Sequence, residues 1–448
     1  VSPPARAARP VPRAAYAHWL DSLARAGWPQ QAAPPQADRP QTSSGVERVG
    51  LDAALGRVTA APVTARWPSP RAACAAMDGI AVRAAALAAA PAAVSDNGGP
   101  ADPSTGDTVR LAPGQFAWID TGDPMPAGAD TVVIRERLLQ QADGAVLVTP
   151  DARSQGDERL AAGPQPGANV RATGEDFAAG ELLVPAGRRL RPGDLATAAA
   201  GGHATVTVTR RPVVAIIPTG DEIRPPGSAL RHGEITDSNS VMLAARCRQL
   251  ETDPRVAPIV RDDPDALAVE LRRAAAQADL VLVIAGSSRG RDDHAGAVIA
   301  QVGGVAVAGV AVRPGHPALL GHVKRPDGPP GQRSGAAPVI GLPGYPLAAA
   351  VVFELFAVPL LSELTGREPV LDRVRARLDQ SWCARADTED WVLVTFGPGG
   401  GDGIPAATPA RRKASALSQL AQADAWWRIP AGGGTFAAGA EIEVDLIR

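Results

Sequence analysis

Acidic residues gather around a few Gly- and Pro-rich loops in the second half of the chain. Asp221 and Glu222 stand in TGDE at 219–222, Asp262 and Asp263 in RDDP, and Asp292 and Asp293 in GSSRGRDDH at 286–294. Carboxylates beside an anion-binding loop suit a hard cation such as Mg2+ or acid–base chemistry. The same loops carry donors in Thr219, Gly220, Gly286, Ser287, Ser288 and Arg289. Glycine lets the backbone approach a ligand, and a helix N-terminus offers unpaired N–H groups to oxyanions. Simpler duties compete. Asp237 and Asp263 each open a helix and suit N-caps; Asp292 suits solvent or a cap; Glu222 and Asp293 are open to both readings. His294 and His316 lack HxxxH or HxH spacing and read as hydrogen-bonding groups rather than metal ligands. No Walker loop, GxGxxG fingerprint or GxSxG elbow occurs, which weakens nucleotide-hydrolase, dehydrogenase and serine-hydrolase readings.

The elements that must position these loops alternate. From 212 onward, strand-like runs near 213–217, 256–260, 280–284, 305–312, 318–322 and 339–341 alternate with helical stretches near 237–250, from Pro264 onward, after GSSRGRDDH to about 302, and near 347–364. Such alternation predicts βαβ units and a parallel sheet, with ligands outside the carboxyl ends of the strands. Two further loops, RPGHP at 313–317 and LPGYP at 342–346, fall at such ends. Between about 44 and 210, short strands at 57–64, 116–119, 131–135, 145–149 and 204–209 and a helix at 191–200 suit small β-rich units. Residues 1–43, rich in Ala, Pro, Arg and Gln, read as a flexible leader with a helical patch at 16–25. Residues 325–337 read as a surface loop. Trp426 and Trp427 read as packing in a terminal sheet.

The chain has 448 residues, 45 Lys+Arg against 47 Asp+Glu, and a formal charge of −2. Its length suggests about three domains at ~150 residues each. Without a basic stripe, a nucleic-acid partner is not expected. No apolar run of ~18 residues is free of charged or turn residues, so no membrane span is expected. Three widely spaced cysteines, Cys74, Cys247 and Cys383, fit a reducing cytoplasm rather than a disulfide framework.

Nine segments in order then resemble one family. They are AAMDGIAV at 75–82, DTGDPMPAGADTVV at 120–133, GEDFAAGELLVPAG at 174–187, PTGDEI at 218–223, GEITDSNS at 233–240, RDDPDAL at 261–267, GSSRGRDDH, RPGHP and GLPGYP. The set is similar to the molybdopterin molybdenumtransferases, relatives of the gephyrin E domain, across 44–448. The resemblance implies a multidomain α/β plus β fold. Its parts would be a linking α/β unit (44–67 and 171–211), a β-rich domain with MDG and TGDPMP (68–170), a three-layer molybdopterin-binding α/β domain (212–365) and a C-terminal β domain (366–448). It also implies a cytoplasmic homodimer that converts adenylylated molybdopterin and molybdate, with Mg2+, to molybdenum cofactor and AMP. Partners would include a molybdopterin adenylyltransferase and apo-molybdoenzymes.

Carried over by motif, Asp78, Asp176, Glu222, Asp263 (or Asp262), Asp293 and Arg313 take catalytic positions, with Glu222 and Asp293 on magnesium. Thr121, Thr219, Gly220, Asp221, Gly286, Ser287, Ser288, Arg289 and His316 would bind substrate, and Pro343 and Pro346 would shape the molybdate side. The chain departs from the pattern where lysines are common: Gly309, Arg313 and His316 stand there. Arg289 is expected to restore part of the lost charge, and Ile80 replaces the tyrosine of MDGY. A non-catalytic molybdopterin-binding paralogue and an adenylyltransferase-like enzyme are the competing readings.

Overall fold

The computed structural model describes residues 9–28, 45–87, 93–96, 115–140, 146–148, 165–284, 294–325, 335–365, 372–399, 403–410 and 417–447. Two compact units result, one built mainly from 46–209 and the other from the N-terminal stretch together with 210–448.

In the second unit, VVAIIP, LVLVI and AAPVIGL form the strands Val213–Pro218, Leu280–Ile284 and Ala336–Leu342, buried along their whole length. Continuous hydrophobicity of this kind marks strands covered on both faces. The sheet runs in the order Asp253–Val256, Val213–Pro218, Leu280–Ile284, Ala336–Leu342, Leu319–Lys324, Gly303–Ala308. Its first four strands are parallel. Val214, Ile216 and Leu282 pack on one face against Leu243 and Cys247 of the helix Ser238–Gln249 and against the helix Pro346–Thr365. Val213, Ala215 and Val283 pack on the other, against the helices Pro264–Gln277 and Ala295–Val302. The alternation follows the two-residue period of a strand and produces three layers. Burial among these apolar groups pushes the Cys247 thiol up to about 12.

Two expectations change here. The sheet is not parallel throughout: Leu319–Lys324 runs antiparallel to both of its neighbours. The reason is a tight reversal at 309–318. Gly309 has φ +87°, its N–H donates to Ala318 O at 2.8 Å, and Val310 N–H donates to His316 O at 2.9 Å. The chain turns back as a hairpin instead of crossing over through a helix. At the opposite edge the regular strand is Asp253–Val256; only single contacts, such as Val260 N–H to Pro218 O at 2.9 Å, continue along 257–260.

The larger correction concerns the expected leader. Within it, Pro12–Arg25 is a helix that starts on Pro12 and buries Ala15, Trp19 and Leu23 completely in the sheet core. Those positions lie four residues apart, one stripe of a helix. Trp19 Nε1–H donates to Gly321 O at 2.7 Å. Tyr16 stacks on Phe356 and donates to Glu363 at 3.0 Å. Burial, reinforced by the Glu363 carboxylate, pushes the Tyr16 phenol above its ordinary range.

The 20-residue helix Pro346–Thr365 is long and apolar enough to cross a membrane by length and composition. Here Val351, Val352, Phe353, Phe356 and Leu360 are all but fully buried, and its one mid-helix charge, Glu354, pairs with Arg246 at 2.7 Å. A π-helical turn at Phe353–Ala357 precedes Pro359, whose missing N–H breaks the regular ladder. Beyond it, five strands between 373 and 446, joined at one edge by Val312–Arg313, build a second six-stranded sheet. Trp427 is 3% exposed and packs edge-on to Phe436, while Trp426 joins Trp391.

The unit over 46–209 has a six-stranded sheet in which Gly79–Val82 lies between Gln115–Ile119 and Thr131–Ile134. Its core holds Ile80, Val82, Phe116, Val133 and Val146. Ile80, in the position of the MDGY tyrosine, is thus a fully buried packing residue. A separate core of Ala54, Val63, Val184, Leu190, Ala198, Val206 and Val208 lies under the helix Pro192–Ala200.

Candidate active site

At the carboxyl end of Val213–Pro218 the chain must turn away from two neighbouring strands. Thr219, 6% exposed, does so by donating its hydroxyl to Ile284 O at 2.9 Å. Gly220 follows at φ +138°, and a Cβ there would lie 2.7 Å from Glu222 Oε2. The glycine thus makes room for the Glu222 carboxylate to fold back over the loop. Asp221 N–H donates to Asp262 Oδ2 at 3.1 Å, and Arg261 pairs with Asp221 at 3.4 Å. Thr219, Arg261, Asp262, Asp263, Leu267, His294 and Ala295 line one recess at this edge.

Both suspected caps are caps. Asp237 accepts from Ser240 N–H at 2.9 Å, and Asp263 accepts from Asp265 N–H at 2.9 Å and from Ala266 N–H at 3.4 Å. Asp263 is thus occupied structurally, whereas Asp262 is the carboxylate that ties the two loops. Gly286, Ser287, Ser288, Arg289, Asp292 and Asp293 lie outside the described residues. Among the described residues no three His, Cys, Asp or Glu side chains form a group able to hold a metal ion. The Glu222 carboxylate has no cationic partner among them, and its oxygen chemistry suits a hard cation.

One tether escaped the sequence reading. Asn239 Nδ2 donates to Gly344 O at 2.8 Å, joining the helix after Asp237 to the LPGYP loop. Its Oδ1 and the Ser240 hydroxyl are buried with no hydrogen-bond partner. Asn239 stands inside the GEITDSNS segment two residues after the Asp237 cap, and nothing local in the sequence points from it to Gly344. Within LPGYP, Pro343 is buried and Pro346 half-buried at the helix start. Along the 309–316 turn, Arg313 is exposed and His316 half-buried. Burial first, and then the charges of Arg9 and Arg313, hold the His316 imidazole below its ordinary value.

The other unit carries a second acidic cluster. Gly79 has no space for a side chain: a Cβ would sit 1.9 Å from Val133 O. The strand therefore closes tightly just after Asp78. The chain following Ile119 turns through Gly122 (φ +96°), with Asp120 N–H donating to Asp123 Oδ2 at 3.1 Å. This turn brings Thr121 onto Asp78 Oδ1, to which its hydroxyl donates at 2.7 Å and its backbone N–H at 2.8 Å. The hydroxyl bond, the backbone bond and the Arg135 charge, against a small opposing effect of desolvation, hold the Asp78 carboxyl below the usual range. Asp176 is exposed in a turn after Gly174, its N–H donating to Ser69 O at 2.9 Å, and its carboxylate has no partner among the described residues.

Three family models match in succession: the MoeA N-terminal region (domains I and II) over 24–202, a probable molybdopterin-binding domain over 215–363, and the MoeA C-terminal region (domain IV) over 375–447. A molybdopterin molybdenumtransferase from Nostoc sp. is 33% identical over 362 residues, covering 77% of this chain and 76% of the relative. The chain belongs to the molybdopterin molybdenumtransferase family. A relative of that name from Bacillus subtilis is 30% identical over 420 residues, 91% of each chain. Among solved structures, a molybdopterin biosynthesis MoeA protein from Pyrococcus horikoshii superposes with a TM-score of 0.69 at 28% identity, covering 96% of this chain and 98% of that one. Another molybdopterin biosynthesis MoeA structure from Pyrococcus horikoshii, at 23% identity and TM-score 0.62, shares the fold. The family's α/β domain flanked by β-rich segments is thus the architecture seen here.

Proposed function

We propose that this chain is a molybdenum insertase, converting adenylylated molybdopterin and molybdate to molybdenum cofactor with release of AMP. The observation that carries the reading is the recess at the sheet edge, lined by Thr219, Arg261, Asp262, Asp263 and His294, beside the loop in which Gly220 leaves room for the Glu222 carboxylate. A pyrophosphate needs donors together with charge neutralisation. At this edge Arg261 lines the recess and Glu222 offers a carboxylate for a cation, while the Thr219, Gly220 and Asp221 N–H groups are taken by Ile284 O, Val260 O and Asp262 Oδ2. Magnesium belongs to the proposal, held by Glu222 and Asp293, and would neutralise the pyrophosphate as AMP leaves. Thr219, Gly220 and Asp221, with Gly286, Ser287, Ser288 and Arg289, are assigned to the substrate. Pro343 and Pro346 are assigned to the wall on the molybdate side, and Arg313 and His316 to its charge.

Asp78, kept ionised by Thr121, and Asp176 are assigned as acid–base or orienting carboxylates of the same reaction. Homodimerisation, a cytoplasmic setting suited to three free thiols, and exchange with a molybdopterin adenylyltransferase and apo-molybdoenzymes complete the proposal.

A single-turnover assay with adenylylated molybdopterin, magnesium and molybdate tests it. Stoichiometric AMP release with protein-bound molybdenum is expected, and Glu222→Gln should slow release at least roughly 100-fold. Tight pterin binding without AMP release would instead establish the non-catalytic paralogue, the reading favoured by the missing side chain at Gly309.

A further inference from the structure

We propose that Arg9, brought in by the N-terminal helix, completes with Arg313 and His316 a binding site for a tetrahedral oxyanion at the 309–316 turn. The site begins with an absence. A Cβ on Gly309 would lie 2.9 Å from Arg9 Nε and 3.3 Å from His316 O. The arm of Arg9 therefore runs through the space that a side chain at 309 would fill. Its backbone is fixed as well, because Ala311 N–H donates to Pro10 O at 2.9 Å. Val312–Arg313 is held from the other side by pairing with Glu389 and Asp390. The arrangement is built from three separate segments, not from one loose loop.

Charge gives the site its ligand. The guanidiniums of Arg9 and Arg313 both bear on the half-buried His316. No ion pair with a described carboxylate is found for either arginine. Like charges held together without a counter-charge repel one another, by an amount that grows as water is excluded. A doubly charged oxyanion between them reverses that sign. Guanidinium forks match tetrahedral oxyanions through paired N–H donors, and a neutral imidazole adds one more. Arg9 thereby returns a cation to the position where Gly309 has none. The helix that carries it is anchored by Trp19 on Gly321. The inference rests on the proposed function, which already assigns Arg313 and His316 to the molybdate side, and adds Arg9 to them; molybdate and the pyrophosphate of the adenylylated pterin share the chemistry.

Full-length wild type, Arg9→Ala and Arg9→Lys would be titrated calorimetrically at low salt with sodium molybdate and, separately, inorganic pyrophosphate. Arg9→Ala should weaken one of the two anions by roughly 10- to 100-fold, with Arg9→Lys losing less. The anion affected identifies the source. In Arg9→Ala the His316 imidazole should also titrate higher by NMR, a change that mere anchoring of the helix would not produce. Unchanged affinity for both anions in Arg9→Ala overturns the site, as does wild-type protein that binds neither. Equal loss in both variants, accompanied by a lowered melting temperature, overturns it too, because Arg9 would then only hold the helix. Arg9-dependent anion binding without AMP release would sink the insertase reading and leave this site standing.

Discussion

The Thr121 hydroxyl is the largest of the influences that hold Asp78 ionised. Thr121 gives that carboxylate two hydrogen bonds from one residue, and each favours the charged form. In Thr121→Val the hydroxyl bond is lost, so Asp78 should titrate closer to the ordinary carboxylate value of about 3.9. The acid limb of the pH–activity profile should move up with it, and turnover should fall roughly 10- to 100-fold. The same depressed pKa has a consequence for stability. Its contribution is complete above the unfolded-state value and is lost as pH falls through the folded one. An acid-unfolding series comparing wild type with Thr121→Val reads this directly. The residues of this cluster were legible in the sequence because Asp78 and Thr121 each stand in a distinctive local motif. Asn239 and Arg9 were not. Asn239 acts through a backbone carbonyl 105 positions away, and Arg9 through a gap left by a glycine; neither leaves a local pattern.

At the scale of elements, the strands that carry the loops were legible wherever they are buried on both faces, because continuous apolar runs leave little choice. Edge strands and reversals were not. Gly303–Ala308 and Leu319–Lys324 pair antiparallel because one glycine conformation allows a hairpin, a tertiary choice that apolar periodicity does not encode. Most of the N-terminal helix was legible as the helical patch at 16–25; its burial was not, because the apolar stripe of Ala15, Trp19 and Leu23 is short and stands in a run rich in Ala, Pro, Arg and Gln. Trp19→Ala should cost about 3–5 kcal/mol, measurable by denaturant unfolding, since it removes a fully buried indole and orphans Gly321 O. Gly79→Ala should cost about 3 kcal/mol or more in the unit that contains it, because Val133 O must move to admit a methyl group. Asp237→Ala, which removes only a cap, should cost about 1 kcal/mol. These three thermal or chemical melts rank the roles of packing, close approach and capping.

For the molecule as a whole, the chain order matters as much as the fold. The unit over 46–209 interrupts the other, so its N-terminal helix and its sheet are encoded far apart. Trp19 and the carbonyl it bonds are separated by 302 positions. During synthesis at ~5–20 residues per second, the finished helix waits roughly 15–60 s for its seat to leave the ribosome. Through that interval its indole stripe has no partner, and Arg9 has no turn to fill. Nascent chains stopped before residue 321 should therefore expose Trp19 to fluorescence quenchers, while released full-length protein shields it. An interrupted domain of this kind ties two distant stretches together: strands near 303–324 capture a helix encoded about 300 positions earlier, and only a chain translated through both can assemble its cations.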